Sequence, residues 1–206
     1  MSEAAAREAI VRFAKSLFDR GYTVGSSGNI SVRLHDGLLI TPTNSCFGDL
    51  DPARLSKLDG AGRHIGGDKP SKEIFLHQAF LETRASAGAV VHLHSTYATA
   101  VSCLADVNPH DVLPPLTPYF LMRVGHLPLL PYYRPGDPAM GEGIRALGGR
   151  YAAVLLANHG PVVSAADLAG AVYASEELEE TAKLFLLLKG HAARPVPPDR
   201  IAELRS

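Results

Sequence analysis

Cysteine is scarce in this 206-residue chain: Cys46 and Cys103 stand in unrelated contexts and show no CxxC spacing. A disulfide framework is therefore unsupported, and two free thiols suit a reducing, cytoplasmic location. An excess of either charge is also lacking. The 20 Lys and Arg residues are matched by 21 Asp and Glu, for a formal net charge of −1. That balance gives no electrostatic ground for nucleic acid or an anionic membrane as a partner. No apolar run reaches the roughly 20 residues of a membrane span. Met1-Ser2-Glu3-Ala4 carries an early acid and no basic stretch, so no signal peptide is expected. There is no internal repeat, no low-complexity tract, no P-loop and no GxGxxG, which leaves a nucleotide cofactor unsupported.

What is present suits one globular domain spanning residues 1–206, with 46% apolar and 20% charged residues. The spacing predicts an amphipathic helix over 3–20 and strands over 29–33 and 38–41, with a turn between them. A short strand is expected at 57–59. Helices are expected over 71–83, 96–104 and 137–147, with strands over 90–94 and 153–157 and a short edge strand at 127–131. Ser164-Ala165-Ala166-Asp167 reads as a capping sequence opening a long helix to about residue 189. The early strands form a hairpin meander, so the pattern predicts an α/β fold with a mixed, mostly antiparallel sheet covered by helices.

Two apolar runs end in histidine. Ala89-Val90-Val91 leads into His92-Leu93-His94, and residues i and i+2 of a strand face the same side. Ala153-Val154-Leu155-Leu156-Ala157-Asn158 leads into His159 and then Gly160-Pro161. Three neutral nitrogen ligands with one open position describe a catalytic zinc. A His-x-His at a strand end is also a common structural pattern, so spacing alone leaves both readings open. Glu73, at a helix start in Lys69-Pro70-Ser71-Lys72-Glu73, sits where the helix dipole favours an anion. It reads as a first-turn Glu or, beside a metal, as an acid/base or a fourth ligand. Ser26-Ser27-Gly28-Asn29, Thr41-Pro42-Thr43-Asn44-Ser45 and the Ser71-Lys72 pair are turns that together suit a phosphate. His35, His64, His77, His110, His126 and His191 read as surface or internally satisfied residues.

In order, Gly28-Asn29-Ile30-Ser31, Ile40-Thr41-Pro42-Thr43, Pro70-Ser71-Lys72-Glu73, Val91-His92-Leu93-His94-Ser95 and Asn158-His159-Gly160 resemble the class II aldolase/adducin family, over about residues 7–190. The resemblance implies a three-layer α/β/α sandwich and a homotetramer with active sites at subunit interfaces. It implies one zinc per subunit, with Mn2+ or Co2+ as alternatives, held by His92, His94 and His159. Glu73 becomes the acid/base, able to ligate the metal at rest. Gly28, Asn29, Thr43, Asn44, Ser71 and Lys72 become the phosphate pocket. Tyr119, in Leu116-Thr117-Pro118-Tyr119, matches a Tyr that reaches a neighbouring subunit's site.

Two departures separate the chain from the sugar-phosphate aldolases of the family. Lys72 replaces the second Ser of Ser-Ser-Glu, and residues 194–206 hold no Tyr. The chain looks most like the branch that decarboxylates 3-oxo-tetronate 4-phosphates. That branch shares Pro131-Tyr132-Tyr133-Arg134-Pro135-Gly136-Asp137. The implied reaction is metal-dependent loss of CO2 through a zinc-stabilised enediolate, giving dihydroxyacetone phosphate. The alternatives are a fuculose- or rhamnulose-phosphate type aldolase, a ribulose-phosphate epimerase, or a non-catalytic adducin-like module.

Overall fold

The computed structural model describes residues 2–204. Helix α1 (Glu3–Asp19) is capped by the Ser2 hydroxyl, which accepts from the Ala5 N–H, and it buries Ala6, Ile10, Ala14 and Leu17. Strands β1 (Asn29–Leu34) and β2 (Gly37–Ile40) form the expected hairpin, and β3 (Ser56–Asp59) continues the meander. Beyond it lies β4 (His64–Gly66), a strand with no counterpart in the sequence reading. Its His64 and Ile65 are exposed, so no apolar alternation announces it.

Helix α2 (Ile74–Thr83) begins later than the sequence predicts: residues 71–73 form a turn, and Glu73 occupies the N-cap position without making a capping bond. Then come β5 (Ala89–His92), α3 (Thr96–Ser102), α4 (Pro118–Arg123), β6 (Leu129–Leu130), α5 (Ala139–Ala146) and β7 (Ala153–Leu156). The chain ends with β8 (Gly160–Ala165), α6 (Leu168–Leu188) and the short α7 (Pro198–Ile201). The expected capping sequence at residues 164–167 is split between two elements. Ser164 is buried in β8, where its hydroxyl donates to the Ala152 carbonyl, and only Asp167 caps α6, accepting from the Gly170 N–H. Gly160-Pro161 reads as a turn, which hides the strand that it opens.

The sheet order is β4-β3-β2-β1-β5-β8-β7-β6, and every pairing is antiparallel except β6 with β7. One face carries Ile30, Val32, Val91, Leu155 and Val163 against α1, α3, α4 and α6. The other carries Ile40, Val90, Val154 and Val162 against α2 and α5. These layers make the α/β/α sandwich with its mixed, mostly antiparallel sheet. Among the described residues no helix is long and apolar enough to cross a membrane. Register sets Asn29 opposite His92 on one side and Val162 opposite His92 on the other, at one end of the sheet.

Candidate metal and substrate site

His92 ends β5, and His94 follows on the same side of the extended chain. His159 arrives from the β7–β8 turn, where Asn158 takes the left-handed conformation (φ 56°) that Asn tolerates better than most residues. At Gly160 (φ 152°) a Cβ would stand 2.3 Å from the Leu93 carbonyl oxygen, so only glycine lets this turn lie so close to the end of β5. The three Nε2 atoms converge. They are separated by 3.1 Å (His92–His94), 3.3 Å (His92–His159) and 3.0 Å (His94–His159). Glu73 Oε2 is 3.6 Å from His92 Nε2, and its Oε1 is 3.5 Å from His159 Nε2.

His92 Nδ1 lies 2.8 Å from the Pro161 carbonyl oxygen, an acceptor, so Nδ1 carries the proton and Nε2 offers a lone pair to the cluster. Burial, then the neighbouring His94 and His159, hold His92 well below the usual imidazole range. Burial and then His159 push His94 down to about 4, and burial also lowers His159. Neutral imidazoles with lone pairs aimed at one point repel each other unless a cation lies between them. Ligand nitrogens about 2.0–2.1 Å from a tetrahedral zinc stand about 3.3–3.4 Å apart, close to the separations here. The four ligand atoms of Glu73, His92, His94 and His159 lie within 4.8 Å of one another, a donor set that fits a divalent cation.

Beside this cluster opens a cavity of about 540 Å³ whose walls include Gly28, Asn29, Thr43, Asn44, Ser71 and Lys72. Two bonds tie its loops together: the Thr43 N–H donates to Lys69 O (3.0 Å) and the Ser71 N–H to Thr41 O (3.3 Å). At Gly28 (φ 85°) a Cβ would sit 2.9 Å from the His92 carbonyl oxygen, which places this loop directly against the His strand. Lys72 is exposed at the cavity wall and makes no hydrogen bond or ion pair with any described residue. Glu73, His94 and His159 also line the cavity, and His92 lies fully buried behind them.

Tyr119 lies away from its own chain's cavity. It is 61% exposed on α4 and does not line the cavity. Tyr132, Tyr133, Thr99 and Asn158 do line it, and no pattern in the sequence assigns them a role. The first two fall in the segment 131–137 that carried part of the resemblance. His77 is buried and satisfied, as the sequence suggests, but its partners are Ser31 and Asn29 of the site's own strand.

The model of the class II aldolase and adducin N-terminal domain matches residues 8–186. The chain belongs to this family. Among its relatives, a 3-oxo-tetronate 4-phosphate decarboxylase from Cupriavidus necator is 50% identical over 208 residues, covering 99% of this chain and 96% of the relative. An L-fuculose phosphate aldolase from Escherichia coli is 34% identical over 168 residues, covering 81% of this chain and 75% of the relative. The crystal structure of YgbL from Escherichia coli matches the fold with a TM-score of 0.96 at 49% identity, covering 99% of each chain.

Proposed function

We propose that this member of the family decarboxylates a 3-oxo-tetronate 4-phosphate to dihydroxyacetone phosphate and CO2. The observation that carries the reading is 50% identity over 99% of the chain to a decarboxylase of that name, against 34% over 81% to an aldolase. All four candidate ligands are in place, where a non-catalytic member would have lost some of them. His92, His94 and His159 would hold the ion, with Glu73 able to complete the set at rest; zinc suits this set best, and Mn2+ or Co2+ is the alternative. Such an ion supplies Lewis acidity to substrate oxygens.

The chain's own residues do the rest. The loops at Gly28, Asn29, Thr43, Asn44, Ser71 and Lys72 hold the phosphate end through hydroxyls, backbone N–H groups and one ammonium. When the C1–C2 bond breaks, its electron pair passes into an enediolate over C2 and C3, and CO2 departs. The Glu73 carboxylate takes up a proton from solvent and delivers it to C2, which supplies the one proton consumed as the carboxylate leaves as CO2. In a homotetramer, Tyr119 of a neighbouring subunit reaches this site as a second proton donor. The location is the cytoplasm.

An aldolase leaves the same enediolate but expels a neutral aldehyde. Lys72, an unpaired cation on the cavity wall where the aldolases carry a Ser, adds positive charge to a site whose 3-oxo acid substrate is more anionic than a ketose phosphate. The test is to incubate zinc-loaded protein with 3-oxo-tetronate 4-phosphates and, separately, with ketose 1-phosphates. Stoichiometric CO2 and dihydroxyacetone phosphate from the acid are expected. Dihydroxyacetone phosphate from a ketose 1-phosphate, with no CO2 from the acid, would make the protein an aldolase.

A further inference from the structure

The Glu73 carboxylate is held by a line of buried hydrogen bonds that begins on β1. Ser31 Oγ lies 2.7 Å from His77 Nδ1, His77 Nε2 bonds Asn29 Oδ1, and Asn29 Nδ2 lies 3.1 Å from Glu73 Oε2. Ser31 and His77 are fully buried, and Asn29 and Glu73 nearly so. Among the described residues Asn29 is the one hydrogen-bond donor to this carboxylate, and Glu73 and His77 are the only partners of the Asn29 side chain.

One proton assignment satisfies every member of the line. An ionised carboxylate only accepts, so Asn29 must turn its NH2 to Glu73 and its carbonyl oxygen to His77. That oxygen only accepts, so His77 carries its proton on Nε2. Nδ1 is then an acceptor and takes the Ser31 hydroxyl proton. The opposite tautomer would draw the Asn29 NH2 toward His77 and push the amide oxygen against the carboxylate.

We propose that His77 is a positioning residue: its Nε2–H tautomer fixes the Asn29 amide, and through it the direction of the Glu73 carboxylate at the reacting centre. The proposal rests on Glu73 being the proton carrier, as argued above. Burial also keeps the imidazole neutral, pushed down to about 3, so the line keeps its direction across neutral and mildly acidic pH. The two small residues of β1 that face α2, Asn29 and Ser31, grip the ring from both nitrogens.

Two measurements test this. Long-range 15N–1H NMR of zinc-loaded protein labelled at histidine reads the tautomer directly; Nε2–H is expected at His77, and Nδ1–H would overturn the proposal. The second compares His77→Gln, which keeps a donor where Nε2 stands, with His77→Asn, which keeps only an acceptor where Nδ1 stands. Each loses one buried hydrogen bond, so a merely structural role lowers both equally. The expected result is an asymmetry: His77→Gln keeps most of the turnover and zinc affinity, while His77→Asn loses on the order of 10- to 100-fold. Equal losses, or none, would overturn the proposal. If neither variant folds, the tautomer decides alone. Failure of the unmodified protein to release CO2 from the 3-oxo acid phosphate would remove the functional reading, while the tautomer and the zinc affinities of the two variants would still judge the positioning role of His77.

Discussion

Glu73 is placed at a helix entrance yet makes no capping bond there, so its carboxylate is not spent on the helix end and faces the His cluster instead. Glu73→Gln should therefore keep the fold, since the amide is nearly isosteric and no cap is lost. Turnover of the zinc-loaded protein should fall on the order of 100-fold or more, the usual size of an acid/base contribution. Near-wild-type steady-state turnover would reject the role. Lys72 is the residue that departs most from the aldolase pattern. A charge-assisted contact is worth about 1.5–3 kcal/mol, and the exposure of this ammonium favours the lower end. Lys72→Ser should weaken kcat/KM for the 3-oxo acid phosphate about 10-fold, corresponding to ~1.4 kcal/mol. Binding of dihydroxyacetone phosphate then separates its roles: an equal loss means phosphate recognition, and no loss means carboxylate recognition. The metal-site candidates were legible because His-x-His is a local spacing and His159 ends an apolar run. The Ser31–His77–Asn29 contacts were not, because they join positions 46 and 48 residues apart.

The elements that carry the site depend on one another for their ends. The short helix α3 has no cap of its own: Ser95 makes no side-chain cap bond, and the α6 residue Glu179 caps it from outside. Glu179 Oε2 accepts from Ser95 Oγ (2.7 Å) and the Ala98 N–H (2.8 Å), and Oε1 accepts from the Tyr97 N–H (2.8 Å). One turn into α3, Thr99 Oγ1 donates to the His159 carbonyl (3.2 Å), so this cap also steadies the turn that bears His159. Glu179→Ala leaves these donors without their acceptor. The expected loss of stability is about 1–3 kcal/mol for a buried donor left unpaired, read as a lower urea midpoint. An unchanged midpoint would show that water replaces the carboxylate. Most helices, and the strands other than β4 and β8, were legible from periodicity and caps. The Glu179 cap was not, being a contact between elements over 80 residues apart. Strands β4 and β8 were lost for opposite reasons: the first is exposed and unpatterned, the second opens with residues that signal a turn.

Across the whole molecule, stability is linked to pH through imidazoles kept neutral by burial. His77 is lowered to about 3 and His94 to about 4 from an ordinary value of 6.5, and His92 and His159 are lowered too. Between the folded and unfolded values the unfolded chain binds more protons, so stability rises with pH there. Their contribution is fully present above pH 6.5 and is lost progressively as the pH falls through about 4 and then 3. Thermal melts of metal-free protein should give a Tm that declines steadily from pH 6.5 to 4. A flat Tm over that window would show that these rings do not stay neutral in the folded state. The mostly antiparallel sheet covered by helices followed from the hairpin meander and the helix patterns, while the three-layer order came with the family resemblance. The gathering of the cavity loops depended on bonds between residues 41–43 and 69–71, which no local pattern announces.

The margins of the sheet bear on how the protein behaves when it is crowded or heated. A long, bare outer strand offers unpaired N–H and C=O groups that recruit another chain, the first step toward fibres. Here β4 has three residues and β6 two, and Pro128 and Pro131 flank β6 with positions that have no N–H to offer. An incoming strand finds no uninterrupted ladder on either side. Partly destabilised variants of this protein should therefore clump through uncovered core surface, as amorphous precipitate, rather than extend as ordered β-aggregates from the sheet.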